Sequence, residues 1–281
     1  MSSTKALVDI GGGMKSIYGA GVLDALYDNQ IRFDNYLGVS AGCANIGSFI
    51  AGQRGRNKRF FSEYSLRKEY IGFENYLKTG SFFGLSYIYD TLSAPDGEDP
   101  FDTEAFLADS APAEFVATVA STGEAKYFNK EDFAVHGCRI FSASCAVPVM
   151  CRPVEIDNVA YYDGGVAEPI PYKRALEYGC DKVFFIIANP LNEARGPERH
   201  RTIYYNALRR YPIIREMIDK RHFVYAEQLK AVRDLENEGR ALIFSPSSPL
   251  GVTTTTRDVS MLERQYKMGY EDALVILEKH L

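Results

Sequence analysis

A serine without bulky neighbours is the first residue of this chain whose setting suits covalent chemistry. It is Ser40, within Gly38-Val39-Ser40-Ala41-Gly42, directly after an apolar run. A strand that turns at once into a helix strains the residue at the turn, and the two flanking glycines leave room for that strain. Ser40 would then stand at a helix N-terminus, where backbone N–H groups and the helix dipole favour negative charge. The pattern predicts acyl transfer by a serine nucleophile, with a glycine-rich turn lacking chemistry as the alternative.

A serine nucleophile needs a group that accepts its proton, and the usual partner is a histidine held by a carboxylate. Asp163 is better placed than any histidine here, because it leaves an apolar run directly into Gly164-Gly165 and can be presented at a sheet edge. The ordinary pKa of an aspartate, about 3.9, makes it a weak base, so a partly dehydrated environment would have to raise that pKa. From these residues alone, a plain hairpin turn is the alternative. The histidines lack the glycine or proline setting of a positioned catalytic loop; they are His136, His200, His222 and His280.

Three consecutive glycines follow the first apolar run of the chain. Gly11, Gly12 and Gly13 can expose backbone N–H groups to an anion or an oxyanion, and Lys15 would add a positive charge beside them. A Walker loop and a dinucleotide fingerprint both lack required glycines here, the fingerprint at Ser16. A tight turn without a ligand is the alternative to an oxyanion loop.

The elements that must position these residues follow a strand–loop–helix order. The glycine loop ends one such strand and Ser40 ends the next, and in a parallel sheet both loops lie along one edge. The run 182–188 is apolar throughout and predicts a central buried strand. Residues 53–100 form helical pieces rich in aromatic side chains, which predicts a lid or acyl-chain cavity and, equally, the core of a helical insertion. Residues 196–281 are expected to be the mainly helical C-terminal part of one domain spanning 1–281.

The composition narrows the functional classes. The chain has 281 residues, of which 46% are hydrophobic, and a formal net charge of -5, which argues against nucleic acid as a partner. Five cysteines without metal-binding spacing predict reduced thiols in a cytoplasmic protein. No apolar run reaches the length of a membrane span, so we expect membrane contact to be peripheral at most. We expect neither a metal nor an organic cofactor, and the sequence leaves the oligomeric state open.

In this order and at these intervals, the glycine loop with Lys15, the serine motif and Asp163-Gly164-Gly165 resemble the patatin-like phospholipase family. The resemblance continues through Gly21–Ala25 and through Ser142–Ser144, and it covers the chain as far as the strand-like run 182–188.

The resemblance implies a three-layer α/β/α fold with a mostly parallel central sheet and a Ser-Asp dyad that cleaves lipid acyl esters without a histidine. By that resemblance Ser40 matches the nucleophile and Asp163 the base; Gly11, Gly12 and Gly13 match the oxyanion loop, and Lys15 the basic, substrate-binding position after it. The chain departs from the family pattern at Ile10, where an acidic or small polar residue is common, and at Ser16, where a glycine is common. Because of Ser16, the outer turn of the loop is expected to differ.

The expected substrate is a lipid or acyl ester, as for a phospholipase A or lysophospholipase. An acyltransferase and a non-catalytic lipid or acyl-carrier binding protein are the alternatives. Chain order separately favours the dyad, because only one strand–helix unit precedes Ser40, whereas the serine of an α/β-hydrolase follows several strands.

Overall fold

The computed structural model describes residues 3–193, 196 and 201–280, the side chains of 201–203 and 280 excepted. Within these residues, eight strands form one sheet. The strands are β1 (Lys5–Asp9), β2 (Asn35–Val39), β3 (Ala113–Val119), β4 (Ala125–Phe128), β5 (Val154–Ile156), β6 (Val159–Asp163), β7 (Lys182–Ile186) and β8 (Ala241–Phe244).

Helices flank this sheet. The α-helices are α1 (Ile17–Asp28), α2 (Ala41–Ile50), α3 (Arg56–Ser62), α4 (Phe73–Thr79), α5 (Thr103–Ala108), α6 (Lys130–His136), α7 (Arg139–Ser144), α8 (Tyr172–Glu177), α9 (Arg201–Ala207), α10 (Pro212–Asn237) and α11 (Val259–His280). Short 3-10 turns cover Gly13–Ser16, Tyr64–Leu66 and Gly164–Val166, and a π-helical turn covers Tyr87–Leu92. No helix in the described ranges is both long and apolar enough to cross a membrane.

The sheet is mostly parallel, as predicted. Its order is β5-β6-β3-β2-β1-β7-β8, with β4 pairing to β3. Strands β1, β2, β3, β7 and β8 run parallel, and β4, β5 and β6 are antiparallel to their neighbours. Leu7 packs into one buried cluster and its neighbours Ala6 and Val8 into another, because successive side chains of a strand point to opposite faces. The sheet is therefore covered on both faces, which confirms the predicted three-layer α/β/α fold.

The parallel register brings the ends of β1 and β2 together. Asp9 is paired with Gly38, so the glycine loop and the serine loop leave the sheet side by side. A side chain at Gly42 would put its Cβ 2.2 Å from the carbonyl oxygen of Asp9, and one at Gly38 would meet the Cα of Cys43 at 2.7 Å. Both positions need glycine because backbone passes directly over them.

Helix α11 packs closely on α1, the helix that follows the glycine loop. A Cβ at Gly21 would lie 2.1 Å from the carbonyl oxygen of Tyr266, and a Cβ at Gly269 would lie 2.1 Å from that of Tyr18. The Tyr266 hydroxyl also donates to Asp24 at 2.7 Å. The backbones of α1 and α11 are in direct contact at these two glycines. Helix α11 therefore fixes the position of α1, the helix that follows the glycine loop.

Candidate active site

Ser40 occupies a strained turn between β2 and α2. Its φ is 55° and its ψ is -135°, a conformation that few non-glycine residues adopt. The backbone N–H of Ser40 donates to the Ser144 hydroxyl oxygen at 2.8 Å, and that hydroxyl donates in turn to the carbonyl of Val116. Such strain persists only where surrounding bonds hold it, and it concentrates at functional sites. Buried Ser144, at the end of α7, is therefore part of what holds Ser40 in place.

Asp163 lies at the end of β6, where it meets Ser40 across the sheet edge. The Ser40 hydroxyl donates to Asp163 Oδ2 at 2.6 Å. The other carboxylate oxygen, Oδ1, accepts from the N–H of Gly165 at 2.8 Å, and the Thr118 hydroxyl donates to the Asp163 carbonyl at 2.8 Å. These bonds fix the orientation of the carboxylate: one oxygen accepts from the loop that follows β6, and the other accepts from the Ser40 hydroxyl.

The surroundings of Asp163 raise its pKa, mainly because burial disfavours the charged form. Three groups oppose this shift by favouring the carboxylate: the positive charge of Arg221, the Ser40 hydroxyl and the Gly165 amide. Burial outweighs them, so Asp163 is a stronger proton acceptor than an exposed aspartate. This is the change that an aspartate needs to act on a serine without a histidine.

The glycine loop turns through three left-handed residues in succession. The φ angles of Gly11, Gly12 and Gly13 are 68°, 136° and 61°. The Gly11 N–H donates to Asp9 Oδ1 at 2.9 Å, which directs it away from an incoming anion. Among the described residues, the amides of Gly12 and Gly13 find no acceptor, and both glycines line a cavity with Ser40. The Gly11 amide is thus occupied within the described part of the protein and the amides of Gly12 and Gly13 are not; the role of the loop as an oxyanion hole stays a prediction.

Asp9 holds this loop and was not expected from the sequence to do so. The side chain is 1% exposed, and Asn45 donates to its Oδ2 at 2.9 Å while Gly11 occupies Oδ1. Burial raises the pKa of Asp9 to about 6, against the lowering effect of these two hydrogen bonds. The Asp9 carboxylate thus connects the loop after β1 to helix α2, which begins directly after Ser40.

Lys15 lies in the same cavity wall, and its ammonium group donates to Asn189 Oδ1 at 2.6 Å. Ser16, where the family usually has glycine, has a φ of -66°, so it requires no glycine-like conformation. The departure from the family pattern therefore leaves the loop geometry unstrained at that position.

Two cavities meet at Ser40. One is apolar and narrow, about 60 Å³, and its wall includes aromatic side chains of the segment 53–100, among them Phe61, Tyr70, Phe83 and Tyr89. The other is polar and larger, about 450 Å³, and includes Lys15, Asp163 and Arg221. The second volume falls in the range of ordinary ligand pockets, whereas the first is well below it.

The two histidines whose side chains the structure describes lie away from the serine. His136 Nε2 lies 3.2 Å from Asp157 Oδ2, and the His222 ring lies against that of Phe223, with the ring centroids 3.9 Å apart and the planes tilted by 39°. Neither lines either cavity at Ser40. His200 and the side chain of His280 lie outside the described residues. Neither of the two described histidine side chains therefore faces Ser40 through these cavities.

The C-terminal third of the chain also reaches the site. Arg221 comes from α10, and Thr254 comes from the loop between β8 and α11; its carbonyl accepts from the Met14 N–H at 3.1 Å. A Cβ on Gly13 would lie 2.5 Å from the Thr254 methyl group. Nothing in the local sequence distinguishes these two residues from ordinary surface positions.

Taken together, the fold and the site define an α/β protein with a strained serine hydrogen-bonded to a buried aspartate. The model of the patatin-like phospholipase family matches residues 10–176. The chain therefore belongs to the patatin-like phospholipase family, a family of lipid acyl hydrolases. A second model, a domain of unknown function (DUF6363), matches residues 211–281.

Two further proteins are similar to this chain. The uncharacterized protein YjjU of Escherichia coli strain K12 is 25% identical over 276 residues, which cover 94% of this chain and 74% of that protein. The crystal structure of VipD from Legionella pneumophila superposes with a TM-score of 0.52 at 15% identity, covering 100% of this chain and 68% of the other. At that identity the second likeness supports the fold alone.

Proposed function

We propose that this protein is a serine acylhydrolase that cleaves acyl ester bonds of lipids through a Ser40–Asp163 dyad. The observation that carries the proposal is the 2.6 Å hydrogen bond between Ser40 Oγ and Asp163 Oδ2. It occurs at a strained strand-to-helix turn and beside two amides without an acceptor among the described residues. Family membership independently supports a lipid ester as the substrate.

In the first half of the reaction, Ser40 Oγ attacks the ester carbonyl carbon while Asp163 accepts the hydroxyl proton. The carbonyl oxygen gains negative charge, which the amides of Gly12 and Gly13 stabilise by donating to it. The tetrahedral intermediate then collapses, the bond to the alcohol breaks, and Asp163 returns its proton to the departing oxygen. The product is an acyl group esterified to Ser40.

In the second half, water replaces the alcohol. Asp163 accepts a proton from the water, whose oxygen attacks the acyl carbon, and the same amides hold the second oxyanion. Collapse releases the free fatty acid and returns the proton to Ser40 Oγ. The cycle uses protein groups throughout, and the role of Asp163 as base requires its carboxylate to be ionised at the start.

The proposal is tested with Ser40→Ala on a p-nitrophenyl acyl ester and with a fluorophosphonate probe. We expect the variant to lose hydrolysis and labelling together. Ser142→Ala is the matched control, because Ser142 is also buried and its hydroxyl makes no hydrogen bond within the described part of the chain. Hydrolysis retained by Ser40→Ala would refute the mechanism. Folded wild type that neither labels nor hydrolyses would indicate a binding protein, and acyl products formed on added alcohols would indicate a transferase.

A further inference from the structure

Arg221 differs from three arginines of the described part of the chain that are paired with carboxylates. The side chains of Arg56, Arg59 and Arg174 each meet a carboxylate, Asp99 for the first two and Glu114 for the third. Within the described residues, Arg221 makes no hydrogen bond and no close ion pair; its charge acts on Asp163, and its Nε is fully covered and without an acceptor. A guanidinium has five N–H donors and no acceptor. The guanidinium is half-buried, so its terminal N–H donors remain available to acceptors on a molecule that enters the cavity.

The position of Arg221 defines where such a molecule lies. A Cβ built on Gly165 would be 2.9 Å from Arg221 Nη2, so the guanidinium covers the loop that carries Asp163. Arg221 lines the polar cavity together with Ser40 and Lys15. Among the described residues of the same wall, Asp163 and Glu193 are acidic, so the cavity carries charges of both signs and recognition has to come from directed donors.

The two cavities suit chemically different parts of one substrate. The apolar cavity begins at Ser40 and continues between aromatic side chains, which suits a hydrocarbon chain. The polar cavity begins at the same serine and presents a guanidinium and an ammonium group. In a glycerophospholipid the carbon that carries the phosphate is adjacent to one that carries an acyl ester, so a phosphate must lie beside the dyad when that ester is cleaved. Arginine binds phosphate with paired, charge-assisted hydrogen bonds.

We infer that the polar cavity binds the phosphate group of the substrate's head group and that Arg221 selects phosphorylated over uncharged acyl glycerols. The inference rests on the proposed function and adds a substrate class to it. It also gives the region 211–281, whose family has no known function, a role in specificity: its longest helix supplies the residue that recognises the head group.

The test compares two short-chain substrates with the same acyl groups, dihexanoylphosphatidylcholine and dihexanoylglycerol, both used as monomers. We expect Arg221→Gln to lower kcat/KM for the phospholipid about tenfold to a hundredfold more than for the diacylglycerol, the loss of a charged hydrogen bond. Arg221→Lys should recover part of the difference. Lys220→Gln is the matched control, since it removes the same charge from the neighbouring, exposed position of α10 and should leave both rates unchanged.

A role confined to Asp163 or to folding would lower both rates equally, because neither depends on the head group. That result, or a wild type without preference for the phospholipid, would overturn the inference while leaving the hydrolase intact. Binding to the Ser40→Ala protein separates the two proposals: calorimetric titration with dihexanoylphosphatidylcholine should show Arg221-dependent binding even where no ester is cleaved. Inorganic phosphate is titrated in parallel. Binding of the free ion as tightly as the lipid would assign the cavity to soluble phosphate instead.

Discussion

Asp163→Asn replaces one carboxylate oxygen of the dyad with an NH₂ group and separates the chemical role of this residue from its structural one. The Gly165 N–H donates to Asp163 Oδ1 and the Ser40 hydroxyl donates to Oδ2. An asparagine has only one oxygen, and the Gly165 amide will retain it at the Oδ1 position. The NH₂ group then faces Ser40, so the serine hydroxyl loses the atom that accepts its proton, while the side chain keeps its shape and its hydrogen bond from Gly165.

The activity and the stability of this variant should therefore change in opposite directions. Loss of a general base costs a factor of about 10² to 10⁴ in rate, so kcat for a p-nitrophenyl ester should fall by at least about a hundredfold. The free energy of unfolding should rise at neutral pH. Burial raises the pKa of Asp163, which means that its charged form is disfavoured in the folded protein, and the neutral amide removes that cost.

The assay measures ester hydrolysis from pH 5 to pH 9 and thermal unfolding over the same range. In the wild type kcat/KM should fall as the pH falls through the raised pKa of Asp163, because the protonated carboxyl cannot accept the serine proton. The gain in unfolding temperature of Asp163→Asn should shrink over the same interval, where the wild-type carboxyl also becomes neutral. A variant with more than a tenth of the wild-type rate would show that Asp163 is not the base.

Three more predictions address the loops and the apolar cavity. Gly42→Ala should cost about 1–3 kcal/mol in unfolding free energy and lower kcat, because its Cβ meets the Asp9 carbonyl at 2.2 Å; normal stability and rate would show that β1 and α2 can separate freely. The pKa of Asp9, raised from 3.8 to about 6, predicts that up to about 3 kcal/mol of stability is present below pH 4 and lost as the pH rises through 6. Denaturant titrations of Asp9→Asn should lack this component, and identical pH curves for both proteins would contradict it. Leu85→Ala should widen the apolar cavity and shift kcat/KM from butyryl toward decanoyl esters; an equal change on both esters would mean that the acyl chain lies elsewhere.

The sequence alone predicts those parts of the fold whose backbone conformation is determined by residues adjacent in the chain. The glycines around Ser40 and the run before Gly11 predict two strand–loop–helix units, because backbone conformations and apolar runs are local properties. Asp163 lies 123 positions from Ser40 along the chain. Its spacing alone left a hairpin turn open, and only the combined resemblance of three motifs connected it to the serine.

The remaining features of the site depend on packing between distant segments. Asp9 is the last residue of an apolar strand, and whether its carboxylate turns to Gly11 or to solvent is decided by α2 lying across it. Arg221 stands next to Lys220 in a helix with many charged residues, so its local pattern is that of a solvated face. Only the placement of α10 against the Asp163 loop distinguishes one cation from the other.

The close contact between α1 and α11 has a consequence for the order of events during synthesis. Residues 259–280 leave the ribosome after the whole sheet has been translated, and until then the glycines of α1 have no partner backbone to pack on. The helix behind the glycine loop is thus secured late. Nascent chains that already contain the serine and the aspartate should stay unreactive toward a fluorophosphonate until residues 259–280 have been synthesised and α11 has docked.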